Sequence, residues 1–124
     1  VLCGANLTAS DAEQHFVSHT QYGIFDYEGQ QNCQWIIKAD KGRFIQLKFT
    51  YFELESRKDC DYDVVIVYDV LYDTDTVTGR FCGLEIPDEI LSSSEFLRVV
   101  FQSDDTINRK GFSATYQLVP SATV

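Results

Sequence analysis

Five carboxylates crowd one short stretch of this 124-residue chain: Glu53, Glu55, Asp59, Asp61 and Asp63 gather around Cys60, directly before the apolar run Val64 to Val67. At an effective dielectric of about 20, two like charges roughly 4 Å apart repel by about 4 kcal/mol, so a fold that gathers them must hydrate, protonate or neutralise them. Carboxylate oxygen is the ligand a hard divalent cation prefers, and calcium takes about 6 to 8 oxygens. A bound calcium is the chemistry this stretch points to; the plain alternative is a hydrated acidic loop. An EF-hand fails on spacing. Asp59, Asp61 and Asp63 imitate its first three ligands, but Val64 stands where glycine is required and Val70 where glutamate is required.

Other chemistries find less support. His15 and His19 stand four apart, a helical spacing that could bind a metal, but no third ligand is marked out nearby and no C-x-x-C pair exists for a zinc site. The run from His15 to His19 lacks the glutamate of H-E-x-x-H, and no G-x-S-x-G element is present. The expectation is that this chain is not an enzyme. Lys and Arg total 10 against 19 Asp and Glu, a net charge of −9. That balance disfavours nucleic acid and anionic membrane and favours cations or basic protein partners. No apolar run approaches the roughly 18 residues of a membrane span. The start, Val1 to Gly4, has no signal-peptide character and the chain has no methionine, so a processed product or excised module is expected. Four cysteines, Cys3, Cys33, Cys60 and Cys82, suggest two disulfides; three connectivities are open, and sequential pairing closes the shortest loops. An oxidising compartment follows, and the sequon Asn6-Leu7-Thr8 agrees with it.

The elements that must position these groups are strands. Ile45, Leu47 and Phe49 alternate with polar residues, as do Leu97, Val99 and Phe101, and again Phe112, Ala114, Tyr116 and Leu118. That is the period of a strand with one wet face. Val64, Ile66 and Tyr68 share one face and Val65 and Val67 the other, so that strand is predicted to be covered on both sides. Trp35 to Ile37 reads as a short buried strand. The segment from Ser10 to Val17 is left between a capped helical turn and a strand, while Leu71 to Thr78 reads as a loop. Short alternating strands with almost no helical period favour an all-β antiparallel sandwich.

Taken in order, Cys3-Gly4, Cys33-x-Trp35, Phe52-x-Leu54-Glu55, Cys60-x-Tyr62-Asp63-x-Val65, Phe81-Cys82-Gly83, Pro87, Phe101-x-Ser103-Asp104 and Gly111-Phe112-x-Ala114-x-Tyr116 resemble a CUB domain. This is an extracellular module of complement proteases, tolloid-type proteases and endocytic receptors. The resemblance implies one CUB domain over residues 1–119 with a tail at 120–124. It implies a jelly-roll-like sandwich of two roughly five-stranded sheets, with disulfides Cys3 to Cys33 and Cys60 to Cys82. Trp35 would lie in the core. Many such domains hold one calcium ion at an end of the sandwich. Position by position, the resemblance assigns carboxylate ligands to Glu55, Asp63 and Asp104, main-chain oxygens to Thr106 or Ile107, and a supporting and partner-facing hydroxyl to Tyr27. Two departures stand out. Ile107 occupies a position where relatives often have asparagine, with Asn108 one step later, and the proline-rich segment common before the second cysteine is replaced by Phe25 to Gly29.

The function so implied is a noncatalytic recognition module of a secreted or cell-surface protein, proteases included, that engages a protein partner through a lysine or arginine side chain. Asn6 would be open to glycosylation. The rival reading is a calcium-independent carbohydrate or protein binder, or a spacer, with Tyr51, Phe52, Tyr72 and Phe25 as its aromatic contacts.

Overall fold

The computed structural model describes residues 4–19, 23–24, 27, 29, 31–54, 60, 63–71, 74–104 and 109–119. Among them are nine strands and no α-helix: β1 (Ala5–Thr8), β2 (Gln14–Val17), β3 (Asn32–Lys38), β4 (Ile45–Glu53), β5 (Val64–Leu71), β6 (Thr74–Phe81), β7 (Ile90–Leu91), β8 (Phe96–Gln102) and β9 (Gly111–Leu118). They form a five-stranded sheet in the order β1-β3-β8-β5-β6 and a four-stranded sheet in the order β2-β9-β4-β7. The sandwich of two roughly five-stranded sheets expected from the sequence is thus present, with five and four strands among the described residues. Pairing is antiparallel except for β1 beside β3.

The core is the set of inward residues that the alternation marks. Ile45, Leu47, Leu97, Val99, Phe101 and Phe112 are all fully buried, and Trp35 is nearly so. Phe112, on β9 of the smaller sheet, meets Trp35 of β3 at 5.7 Å and Phe101 of β8 at 5.6 Å, both edge to face. This one ring ties the two sheets together, in the geometry aromatic quadrupoles favour. β5 is covered on both sides as expected: Val65 and Val67 face the core, while Val64 and Ile66 on the outer face are only 4% and 6% exposed.

Two local features depart from simple alternation. The register of β4 against β9 shifts between Phe49 and Tyr51, a bulge in which the Thr50 hydroxyl meets that of Ser113 at 2.9 Å. One extra residue reverses the parity beyond it. Phe52 and Leu54 therefore point inward, and Glu53 is left on the other side. Phe52 is core and not a surface contact, while Phe25 and Tyr72 lie outside the described residues. The second departure is β6, over a segment read as loop from its Asp and Thr content. It is an edge strand with an exposed face, where threonine and valine favour extended backbone and polar side chains stay in water. The Asp75 charge is met by Arg98, whose guanidinium also stacks 4.1 Å from the centre of the Tyr68 ring. The segment left open near the N-terminus is β2, paired with β9.

Cys60 and Cys82 are joined, 22 residues apart, as the resemblance implied. Cys33 is bridged also, and Cys3 lies outside the described residues. Gly111 is required where it stands: its φ is +90°, and a Cβ would sit 2.1 Å from the Ser18 hydroxyl oxygen.

Candidate metal centre

Asp63 stands immediately before β5 and is completely buried. One of its oxygens accepts the hydroxyl hydrogen of Tyr27, and the other accepts the backbone N–H of Asp104 at 2.9 Å. The side chains of Asp63 and Asp104 also lie within hydrogen-bonding reach of each other. Burial pushes the Asp63 carboxyl above the usual carboxylate range. The bonds from Tyr27 and the Asp104 amide oppose that rise, and the nearby charge of Asp104 adds to it. Among the described residues the ion pairs are Arg43 with Asp11 and Arg98 with Asp75, and neither touches this centre.

Each group is held by the fold. Tyr27 is 2% exposed, its ring edge-on to Phe101 at 5.0 Å, and its N–H donates to the Arg109 carbonyl at 3.0 Å. Asp104 follows the end of β8, where Ser103 and Gln31 bond reciprocally: the Ser103 N–H donates to the Gln31 carbonyl at 3.0 Å, and the Gln31 N–H to the Ser103 hydroxyl at 2.9 Å. The result is a preformed oxygen cluster at one pole of the sandwich.

The donor set suits a hard cation. A carboxylate taken out of water without a positive partner is costly, and a second carboxylate beside it raises that cost. A divalent ion removes both penalties and is bound by oxygen of this kind. The fold brings Asp63, Asp104 and Tyr27 together. Glu55, Thr106 and Ile107, the remaining expected ligands, lie outside the described residues, as do Asp59 and Asp61. Among the described residues, accordingly, no group of three or more metal-ligating side chains is found. Glu53 takes a different role, accepting the Lys110 N–H at 3.1 Å.

Two neighbours of the centre carried no signal for it in the sequence. Ser18, 5% exposed, accepts the Phe112 N–H at 3.0 Å and lies 2.8 Å from His19 Nδ1. His19 in turn sets its ring against that of Tyr27, 6.3 Å between centroids. The adjacent serine and histidine resemble a nucleophile and base, but the hydroxyl is buried and occupied by a backbone amide. His15 is exposed on β2, opposite Thr115. A strand, not a helix, carries it, so the helical i, i+4 face suggested by the spacing does not form.

Comparison with known proteins agrees with this architecture. Human tolloid-like protein 1 is 39% identical over 117 residues, which is 94% of this chain and 12% of that protein. The chain therefore spans about an eighth of that relative. The full extracellular region of zebrafish Gpr126/Adgrg6 contains a similar unit, with a TM-score of 0.77 and 32% identity over 96% of this chain and 15% of the other. The MASP-1 CUB2 domain, in a crystal structure bound to Ca2+, gives a TM-score of 0.76 at 24% identity, covering 93% and 99% of the two chains, which is a likeness of fold. The pattern of the CUB domain family matches residues 3–116, from the first cysteine to the last core tyrosine, and takes in both carboxylates of the centre; this chain belongs to the CUB domain family.

Proposed function

We propose that this module binds one calcium ion through Asp63, Asp104 and Glu55, with Thr106 or Ile107 lending main-chain oxygen, and that the ordered pole then receives a lysine or arginine side chain of an extracellular protein partner. The observation that carries the reading is the fully buried Asp63 carboxylate, which faces a second carboxylate and meets no positive side chain among the described residues. Bound calcium would bring the net charge from −9 to −9 + 2 = −7, leaving the domain acidic enough to attract a basic partner. Carboxylates fixed by the ion can still accept charge-assisted hydrogen bonds, and Tyr27 stands beside them. The MASP-1 CUB2 domain, alike in fold, is bound to Ca2+, which supports the reading that this module too takes a calcium ion. The module itself contributes recognition, and any catalysis belongs to other parts of a longer protein. Exposed Asn6, on the edge strand β1, is open to N-glycosylation, read as mass lost on glycosidase treatment of protein from a secreting cell.

Calcium sites of extracellular modules have dissociation constants of about 0.1 to 1 mM. A tenfold excess then stabilises the fold by about 1.4 kcal/mol. The expected result is a thermal midpoint about 4 to 6 °C higher in calcium than in chelator. Equal midpoints at millimolar calcium would favour the calcium-free binder or spacer.

A further inference from the structure

We propose that Asn6 carries an N-linked glycan whose innermost sugars lie over the outer face of the five-stranded sheet, so that the chain's own carbohydrate covers this face and recognition is left to the ion-binding pole. This extends the reading of Asn6 given above and is independent of the calcium site.

The register fixes where the asparagine stands. Leu7 packs against the core, so its neighbours Asn6 and Thr8 are on the opposite, outer face of the sheet. Asn6 pairs with Ile36, Ile36 with Arg98, Arg98 with Tyr68 and Tyr68 with Val77, one row that crosses all five strands. Ile36 and Tyr68 are half-buried, and Val77 is 52% exposed. Among the described residues every strand belongs to one of the two sheets, so no further strand lies over this row.

The row suits a sugar attached at its end. β1 is the sheet edge, so the first surface within reach of an Asn6-linked sugar is Ile36, one strand spacing of about 4.8 Å away. The N-acetyl methyl and the ring C–H groups of that sugar are apolar and match it. Arg98, next in the row, is held flat: its guanidinium stacks on Tyr68 at 4.1 Å, donates to Gln34 Oε1 at 3.1 Å and pairs with Asp75. The Arg98 side chain remains 25% exposed, and its N–H groups can meet sugar hydroxyls. Tyr68 is five residues beyond Asp63, roughly 16 Å along the strand, so the innermost sugars stop short of the ion-binding oxygens.

Attachment is the transfer of an oligosaccharide from a lipid-linked diphosphate donor to the sequon that Thr8 completes. The bond from the anomeric carbon to the diphosphate oxygen breaks, its electron pair leaving on the diphosphate. A bond from that carbon to Asn6 Nδ2 forms, and Nδ2 releases one proton. The bulky, hydrated product shields the apolar row and blunts the open edge of β1 against pairing with another strand.

The test uses the full chain secreted from eukaryotic cells and trimmed enzymatically to a single N-acetylglucosamine, beside two sugar-free variants, Thr8→Val and Asn6→Gln. Wild type should lose the mass of an oligosaccharide on glycosidase treatment. The one-sugar form should show nuclear Overhauser contacts between its N-acetyl or ring protons and the Ile36 methyl groups. It should melt about 3 °C above both sugar-free variants, and Ile36→Ser should remove most of that gain. The calcium response should be the same in all forms. A sugar without contact to Ile36, a gain that Ile36→Ser leaves intact, or a calcium response altered by the sugar would overturn the proposal. So would association of the glycosylated chain that Val77→Asp abolishes, which would give the face to a second copy. The two readings fail separately: no mass loss removes the Asn6 glycan itself, whereas a glycan that stands clear of Ile36 removes only its place on the sheet.

Discussion

Asp63→Asn is expected to melt at one temperature in calcium and in chelator, losing the whole ion-dependent gain of the wild type. In chelator at pH 7 it should melt at or above the wild type. Both results follow from the same burial. Because burial holds the Asp63 carboxyl above the ordinary range, the metal-free folded chain binds its proton more tightly than the unfolded chain does. The sign is then fixed: this contribution to stability is present below the unfolded carboxylate value and is lost as pH rises through the folded one. Once deprotonated, the wild type carries a buried charge that meets no positive side chain among the described residues. The amide introduced by the substitution carries none, and its oxygen can still accept a bond from Tyr27 or the Asp104 amide. With calcium the order reverses, since only the carboxylate holds the ion. Protons and calcium compete for the same oxygens, so the wild-type calcium shift should shrink on acidification, beginning above the range of an ordinary aspartate. Differential scanning calorimetry of both proteins at about pH 5 and pH 7, with calcium and with chelator, checks all of this. A lower midpoint for Asp63→Asn in chelator at pH 7 would show that the carboxylate is satisfied without a metal.

The double variant Cys60→Ala/Cys82→Ala should lose about 3 kcal/mol of stability, from the loop entropy that a bridge across 22 residues removes from the unfolded chain. Equilibrium urea unfolding gives that figure directly. The second consequence is functional. Cys60 has a φ of 54°, in the left-handed region that residues with a Cβ avoid, three positions before Asp63. The bridge holds Cys60 in this conformation. Released, position 60 should relax and its hold on Asp63 three residues on should loosen, so calcium affinity should fall even where the variant remains folded. Unchanged affinity would mean that Asp63 is positioned by Tyr27 and Asp104 alone.

What can be read from sequence depends on the residue. Leu97, Val99 and Phe101 alternate cleanly because β8 lies between β3 and β5 with one face on the core, and periodicity reports that face directly. Phe52 and Glu53 were not legible in this way. The bulge at Thr50 is set by its cross-strand meeting with Ser113, and one added residue exchanges inside for outside without altering composition. Asp75 and its threonine neighbours looked like turn residues because the partner of that aspartate, Arg98, is 23 residues away. Among the five crowded carboxylates, charge density alone could mark the group as a candidate site but could not distinguish its members. Glu53 holds a backbone amide and Asp63 is enclosed, a difference created by Tyr27, 36 residues before, and Asp104, 41 after. The Cys-x-Tyr-Asp and Phe-x-Ser-Asp motifs did single out Asp63 and Asp104, because each ends on a residue fixed at the edge of a core strand.

The most direct measurement is a crystal structure of this chain grown in about 10 mM calcium, well above the range typical of such sites. The expected result is one strong density peak about 2.4 Å from oxygens of both Asp63 and Asp104, with Glu55 and main-chain oxygen from the turn after Asp104 completing the shell. Water alone between these groups, with the two aspartates turned apart, would contradict the account.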